Sequence, residues 1–267
     1  MSAPTPPGTI LDRILAVKRE EVAAAIAAHT LRKQPGCGDR RSLVDALRRP
    51  AGAPVRVLAE IKRASPSAGP IRPGADPAAI AREYTEGGAA AISVLTDKQF
   101  FDGELAFLLP CRAASPLPLL RKDFVVDKHQ IIEAAFFGAD AVLLIAAALS
   151  ALELEIMARE ARNYGLDALI EVHDLAELDA ALDAPVSGKL IGVNHRDLRT
   201  FTIDMSLTET IAKRVPSDVV LVAESGIKTA EDVRRLGDAG AHAVLVGEQL
   251  MRAPSPGQAL RALRGVP

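Results

Sequence analysis

From Val55 onward the sequence alternates short runs of β-branched and aliphatic residues with longer stretches of helical periodicity, and this alternation narrows the fold more than any other feature. The runs are VRVLAEIK from Val55, AAAISVL from Ala89, LPLLRKD from Leu117, DAVLLIA from Asp140, DALIEV from Asp167, KLIGVN from Lys189, DVVLVAES from Asp218 and AHAVLVG from Ala241. Helical patterns fall between and after them, near 77–86, 103–112, 128–137, 150–164, 174–183, 206–214, 229–238 and 255–264. A spacing of about 22 to 34 residues suits a strand, a turn, a helix and a second turn in a parallel α/β fold. Open doubly wound sheets and closed (β/α)8 barrels both accept that rhythm. Eight repeats in about 210 residues select the barrel, and no G-x-G-x-x-G follows the first run as a dinucleotide-binding sheet prefers. Walker A, G-x-S-x-G and H-E-x-x-H patterns are also missing from the sequence.

The expected fold is therefore a single (β/α)8 TIM barrel over residues 55–267, preceded by an N-terminal helical extension over 1–54 packed on it. Residues 9–28 read as an amphipathic helix with Thr9 as N-cap. Ile10, Ile14 and Val17 lie beside Leu11 and Leu15, a stripe too broad to face water, so this helix is expected to cross the barrel near its mouth, the alternative being that it only covers the barrel's outside or a partner's surface. Pro35, Gly36, Gly38, Pro50, Gly52 and Pro54 break the stretch after it, around a short helical pattern at Ser42 to Arg48.

Composition removes whole classes of function. A formal net charge of -2 and a pI near 6.2 imply no nucleic-acid partner. No basic, apolar leader is readable, and the longest apolar run, Ala141 to Leu149, is too short for a bilayer, so no membrane association is expected. Cys37 and Cys111 stand far apart without a C-x-x-C, which argues against a disulfide framework or zinc ribbon and suits a reducing cytoplasm.

Barrel chemistry belongs at the C-terminal ends of strands, on side chains whose parity turns them inward. That parity delivers Glu60 and Lys62 from the first run, Lys122 from the third, Glu171 from the fifth, Asn194 from the sixth and Glu224 from the seventh to one rim. A single charged residue at a strand end could simply meet solvent; several converging in a half-buried mouth would be costly without partners or a task. Beyond the seventh and eighth runs, Ser225-Gly226 and Gly247-Glu248 stand where barrels often cradle a phosphate, although these glycines could also serve only tight turns. His29, His129, His173, His195 and His242 fall on different elements without a ligand pair, so each is read as a surface or loop residue and no metal is assigned. Asp97, Asp123 and Asp127 could join carboxylates around a cation, but lysines stand among them. Phe100, Phe101 and Phe124 sit at loops on the rim.

At this point the chain resembles the indole-3-glycerol phosphate synthase family over essentially its whole length. The stretches that carry the resemblance include ILDRILAVKREEV, LAEIKRASPS, SVLTDKQFFDG, LLRKDFVVDKHQIIEA, ALIEVHD, IGVNHRDLRTFTID, VAESGIKTAEDV and AVLVGEQLM, in the family's order. The resemblance implies a (β/α)8 barrel that converts 1-(o-carboxyphenylamino)-1-deoxyribulose 5-phosphate to indole-3-glycerol phosphate, with loss of CO2 and water, without metal or organic cofactor. It implies Lys122 as the general acid of ring closure and Glu171 as the general base of later steps. Glu60, Lys62, Ser65 and Pro66 would line the mouth, with Lys62 near the phosphate and available for the dehydration. Asn194 and Arg196 would hold the polar side of the substrate, and Glu224 and Ser225 would complete the polar ring. Phe101, Phe124 and Leu143 would contact its ring, and Gly226, Gly247 and Glu248 its phosphate. Ala68, Glu104 and Gln249 depart from the family's residues on loops. The implied partner is a small phosphorylated aromatic substrate, and the chain is expected as a monomer or weak homo-oligomer.

Three alternatives stand beside this reading: a Schiff-base aldolase with a nucleophilic lysine, a sister barrel isomerising phosphoribosyl anthranilate, and a non-catalytic phosphate-binding scaffold.

Overall fold

Each of the eight runs forms a strand in the computed structural model, which describes residues 8–28, 39–183, 190–197 and 200–266. His29, Cys37 and Lys189 lie outside the described residues. The strands are β1 (Arg56–Ile61), β2 (Ala91–Leu95), β3 (Leu119–Lys122), β4 (Ala141–Ile145), β5 (Asp167–Val172), β6 (Leu190–Asn194), β7 (Val220–Glu224) and β8 (Ala243–Val246). Every neighbouring pair is parallel, and β8 returns to β1 with Leu58 opposite Leu245, so the ladder closes into the expected barrel.

Strand parity separates two cores. Leu58, Leu120, Leu143, Leu169, Val222 and Leu245 pack together inside the barrel. Their alternates Val57, Ile92, Leu144, Ile170 and Val244 belong to the outer layer beneath the helices. The helices of that layer are α3 (Pro77–Glu86), α5 (Leu108–Ala114), α6 (Lys128–Phe136), α7 (Ala151–Asn163), α8 (Leu175–Asp183), α9 (Leu207–Ala212), α10 (Ala230–Asp238) and α12 (Pro256–Leu263). Capping boxes start several of them, with Ser150 and Thr229 each accepting from the backbone three residues on.

Local chemistry shifts some boundaries. The pattern near 103–112 becomes a 3-10 turn at Leu105–Phe107 followed by α5. Ahead of it, Asp97 caps an additional short helix, α4 (Lys98–Phe101), which ends where Asp102 turns left-handed at φ 52°. Phe100 and Phe101 therefore sit on a helix, not on the expected loop. After β1, Ala64–Ser65 pairs with Gly69–Pro70 in a small hairpin whose reversal uses Gly69 at φ 64°. The short helix α11 (Glu248–Arg252) follows β8 directly. Among the described residues no helix is long and apolar enough to cross a membrane.

His129, buried on α6, contradicts the surface-or-loop reading, and His195, on the loop after β6, keeps its loop place but is buried. His195 is 3% exposed and His129 8%. His195 is drawn inside because both ring nitrogens find partners there: Nδ1 lies 2.9 Å from the Ser225 carbonyl and Nε2 2.6 Å from Thr208 Oγ1. A carbonyl only accepts, so Nδ1 donates to it and Nε2 can accept from the hydroxyl.

The N-terminal extension uses opposite ends of the barrel. Helix α2 (Leu43–Leu47) buries Leu43 and Leu47 completely against the strand starts, while the Leu43 and Val44 amides donate to Asp167 at the beginning of β5. Helix α1 (Ile10–Ala27), with Thr9 in a capping box, lies at the other end. There Lys18 reaches Asp97 at 2.8 Å and Asp123 at 3.1 Å, both just beyond strand ends. Arg121 and Thr96 also hold Asp123. Burial opposes its ionisation, but Arg121 and Lys18 overcome that and pull the carboxyl from an ordinary 3.8 down to about 2.

Replacing one side of a buried ion cluster strands the other, so Lys18→Met is expected to cost about 3 to 5 kcal/mol and to speed hydrogen exchange across α1. Urea unfolding with exchange mass spectrometry checks this, and an unchanged α1 would show that the cluster does not hold it. Because the folded pKa of Asp123 is depressed, its contribution is present above pH 3.8 and is lost as pH falls through about 2.

Candidate active site

Lys122 closes β3 with its ammonium inside the mouth, where Nζ lies 2.9 Å from Glu171 Oε2 and 3.5 Å from Glu224 Oε2. Glu60, on β1, pairs with Lys62 Nζ at 2.7 Å. Asn194 at the end of β6 donates through Nδ2 to Glu171 Oε1 at 3.0 Å. Its Oδ1 accepts from Ser225 Oγ at 2.7 Å and from the Arg196 amide at 3.1 Å. Two glycines leave room for this arrangement. A Cβ on Gly192 would collide with Glu224 Oε1, and one on Gly247 with Glu60 Oε1.

Around one buried ammonium, Glu171 and Glu224 divide their proton affinities. Burial works against a charged Lys122, yet Glu171, Glu224 and Glu60 outweigh it and hold the lysine cationic beyond its ordinary range. Glu171 moves the other way from its usual value: burial would raise it, but Lys122 and His173 keep it ionised. Glu224 is raised, first by burial, which Lys122 does not offset, and then by the other two glutamates. Neighbouring carboxylates with affinities pushed apart provide both an ionised and a proton-holding group.

These groups line one cavity of about 530 Å³, and every residue to which the resemblance assigns a site role lies on its wall, whereas Phe100, Asp97 and Asp127 do not. Ser65, Pro66, Arg196, Ser225, Gly226, Gly247 and Glu248 stand around it with the charged cluster, Leu143 rises from the barrel interior, and the Phe101 and Phe124 rings are 6.0 Å apart. Helix α1 adds Ile10, Leu11 and Ile14 to the apolar side. Ser225 and Gly226 follow β7 with φ of 71° and 81°, so the backbone turns sharply where it reaches the cavity. Glu248 is engaged by Arg252 at 2.9 Å.

Sequence reasoning passed over Ile145, whose parity with Leu143 would have revealed it, and Phe201, whose left-handed φ of 59° has no signal in the local sequence. It also dismissed His173. That side chain stands behind Glu171, with Nε2 3.3 Å from Glu171 Oε1 and Nδ1 3.0 Å from Glu177 Oε2. It keeps the loop position expected for it, but carboxylates on both sides of the ring hold it inward from the surface.

A closed parallel barrel with a lysine and several carboxylates buried at its C-terminal mouth defines a barrel enzyme of acid–base type. Solved structures share that fold: a thiamine phosphate pyrophosphorylase from Pyrococcus furiosus is 19% identical, with a TM-score of 0.60 over 84% of this chain and 96% of its own. The family model for indole-3-glycerol phosphate synthase matches residues 11–263, and the chain belongs to that family. An indole-3-glycerol phosphate synthase of Albidiferax ferrireducens is 49% identical over 260 residues, covering 95% of this chain and 97% of the relative. Another from Paracidovorax citrulli is 49% identical over 263 residues, covering 95% and 98%.

Gly192→Ala tests whether the glycine gap sets the carboxylate positions. Displacing Glu224 by the order of 1 Å should lower turnover about 100-fold while circular dichroism stays native; unchanged turnover would make Gly192 a purely structural choice.

Proposed function

We propose that this mouth catalyses the reaction of its family, closing the pyrrole ring of 1-(o-carboxyphenylamino)-1-deoxyribulose 5-phosphate with loss of CO2 and water, the carboxy-lyase step of tryptophan biosynthesis. The observation that carries this reading is Lys122, buried and held cationic among three carboxylates. Attack of the carboxyl-bearing ring carbon on the ketone puts negative charge on the carbonyl oxygen. Lys122 donates its proton there, and CO2 leaves with the ring carbon's electron pair returning to the ring. The new hydroxyl must then depart as water. Lys62, beside Glu60, supplies a second acid for that departure, and ionised Glu171 takes the proton whose loss restores aromaticity.

Substrate orientation is set by the cavity's polarity. Leu11, Ile14, Phe101, Phe124 and Leu143 offer an apolar side for the ring, while Ser225-Gly226 and Gly247 expose backbone for the phosphate, with Lys62 nearby and Glu248 at the edge. Asn194 and Arg196 face the substrate's hydroxyls between these ends. The reading includes no cofactor, a cytoplasmic setting and a monomer or weak homo-oligomer. The Cys111 thiol, buried and pushed up to about 12, chiefly by desolvation, is inert packing in keeping with a reducing compartment.

Supplying the carboxyphenylamino-deoxyribulose phosphate without added metal should produce indole fluorescence; a signal that requires metal would overturn the cofactor-free reading. Lys122→Met is expected to lower kcat at least about 100-fold with little change in KM. A loss mainly in KM would make Lys122 a binding residue, and a borohydride-stable adduct on it would favour the Schiff-base alternative. For Glu171→Gln, mass spectrometry should detect a cyclised species that has lost CO2 but kept water. Removing residues 1–28 takes away α1 and leaves α2 in place at the barrel's lower end. This truncation should weaken substrate binding in a folded barrel, and unchanged kinetics would refute a role for α1 at the mouth.

A further inference from the structure

His173 follows β5 on the loop to α8, where it lies between two carboxylates, one buried and one half-buried. Glu171 is a buried group of the mouth, and Glu177 lies in the first turn of α8, at the rim. Glu177 is fixed before it meets the ring. Its amide donates to Asp174 Oδ1 at 2.8 Å, and its Oε2 accepts from the His173 amide at 2.8 Å as well as facing Nδ1 at 3.0 Å. Across the ring, Nε2 is 3.3 Å from Glu171 Oε1, the same oxygen that accepts from Asn194. Glu177 is in hydrogen-bond contact at Nδ1, while Glu171 lies at ion-pair distance from Nε2 without hydrogen-bond geometry, so a ring carrying two protons meets a carboxylate on each side.

We propose that His173, braced by Glu177, is a standing imidazolium that serves as a positioning residue for Glu171, aiming its carboxylate and keeping it ionised between turnovers. This inference rests on Glu171 being the base of the reaction. The charged groups facing Glu171 are Lys122 from β3, Glu224 from β7 and His173; those facing His173 are Glu171 and Glu177. Burial lowers the imidazole's affinity for its second proton, but the two glutamates beside the ring prevail and lift it from 6.5 to about 10. The cation is thus retained through the neutral range. Lys122 alone could keep Glu171 charged, but it must release its own proton during ring closure. At that moment His173 is the cation still facing the carboxylate, so Glu171 remains ionised until its own step.

Removing the imidazolium raises the affinity of Glu171 for a proton, so the acidic limb of the kcat/KM profile moves to higher pH. For both His173→Gln and Glu177→Gln we expect that limb to rise by about one pH unit, with kcat lower by roughly 10- to 100-fold and KM little changed. Nitrogen-15 NMR of the wild-type ring should find both nitrogens protonated from pH 6 to 8. A ring titrating near pH 6.5 overturns the proposal even if His173→Gln fails to fold. An acidic limb unmoved in a folded Glu177→Gln variant overturns it as well, provided Glu171→Gln is impaired. If Glu171→Gln keeps full turnover, the base assignment falls and the positioning role falls with it. That result is distinguishable, because the NMR would still report the charge on His173.

Discussion

A closed parallel ladder gives each strand one face toward the barrel axis and one toward the helices, and the site depends on that division. Inside, aliphatic layers fill the space up to the strand ends. The next inward positions cannot continue the apolar stack without closing the mouth, and there the chain places Glu60, Lys122, Glu171, Asn194 and Glu224. Such charges survive burial because each meets an opposite charge or a fixed donor, with Lys122 central to three carboxylates.

Glycine makes that crowding possible. Gly192 and Gly247 lie beneath Glu224 and Glu60 where any larger residue would take the space of the carboxylate. Rigid strands set the positions of the charged groups, while the surrounding loops and α1 contribute the apolar side of the cavity. The N-terminal extension divides its work accordingly. Helix α2 closes the barrel floor through backbone donors on Asp167, and α1 is tied at the mouth through a buried lysine on Asp97 and Asp123.

This pairing also explains two aspartates that looked available for a cation. Asp97 caps α4 and receives Lys18, while Asp123 is shared among Lys18, Arg121 and Thr96. Their charge is already used within the fold, and it links α1 to the strand end that carries Lys122. Any displacement of α1 therefore reaches the segment that carries Lys122.

Periodicity by itself determined the eight strands, their order and the inward parity of the charged residues, because a two-residue alternation leaves a mark on the chain wherever one face is buried on aliphatic neighbours and the other on helices. It also carried Thr9 as a cap and the outline of α1, since capping and amphipathicity act within a few residues. Only the tertiary structure decided that His173 stands between Glu171 and Glu177, that His195 is buried behind Ser225, and that α4 forms after Asp97. It also revealed the meeting of Lys18 with Asp97 and Asp123. The His195, Lys18 and barrel contacts join residues far apart in the chain. Even the His173 neighbours, close in sequence, depend on which way the strand end and loop turn. Their physical basis is the distance between side chains after closure, which no local pattern of residue types contains.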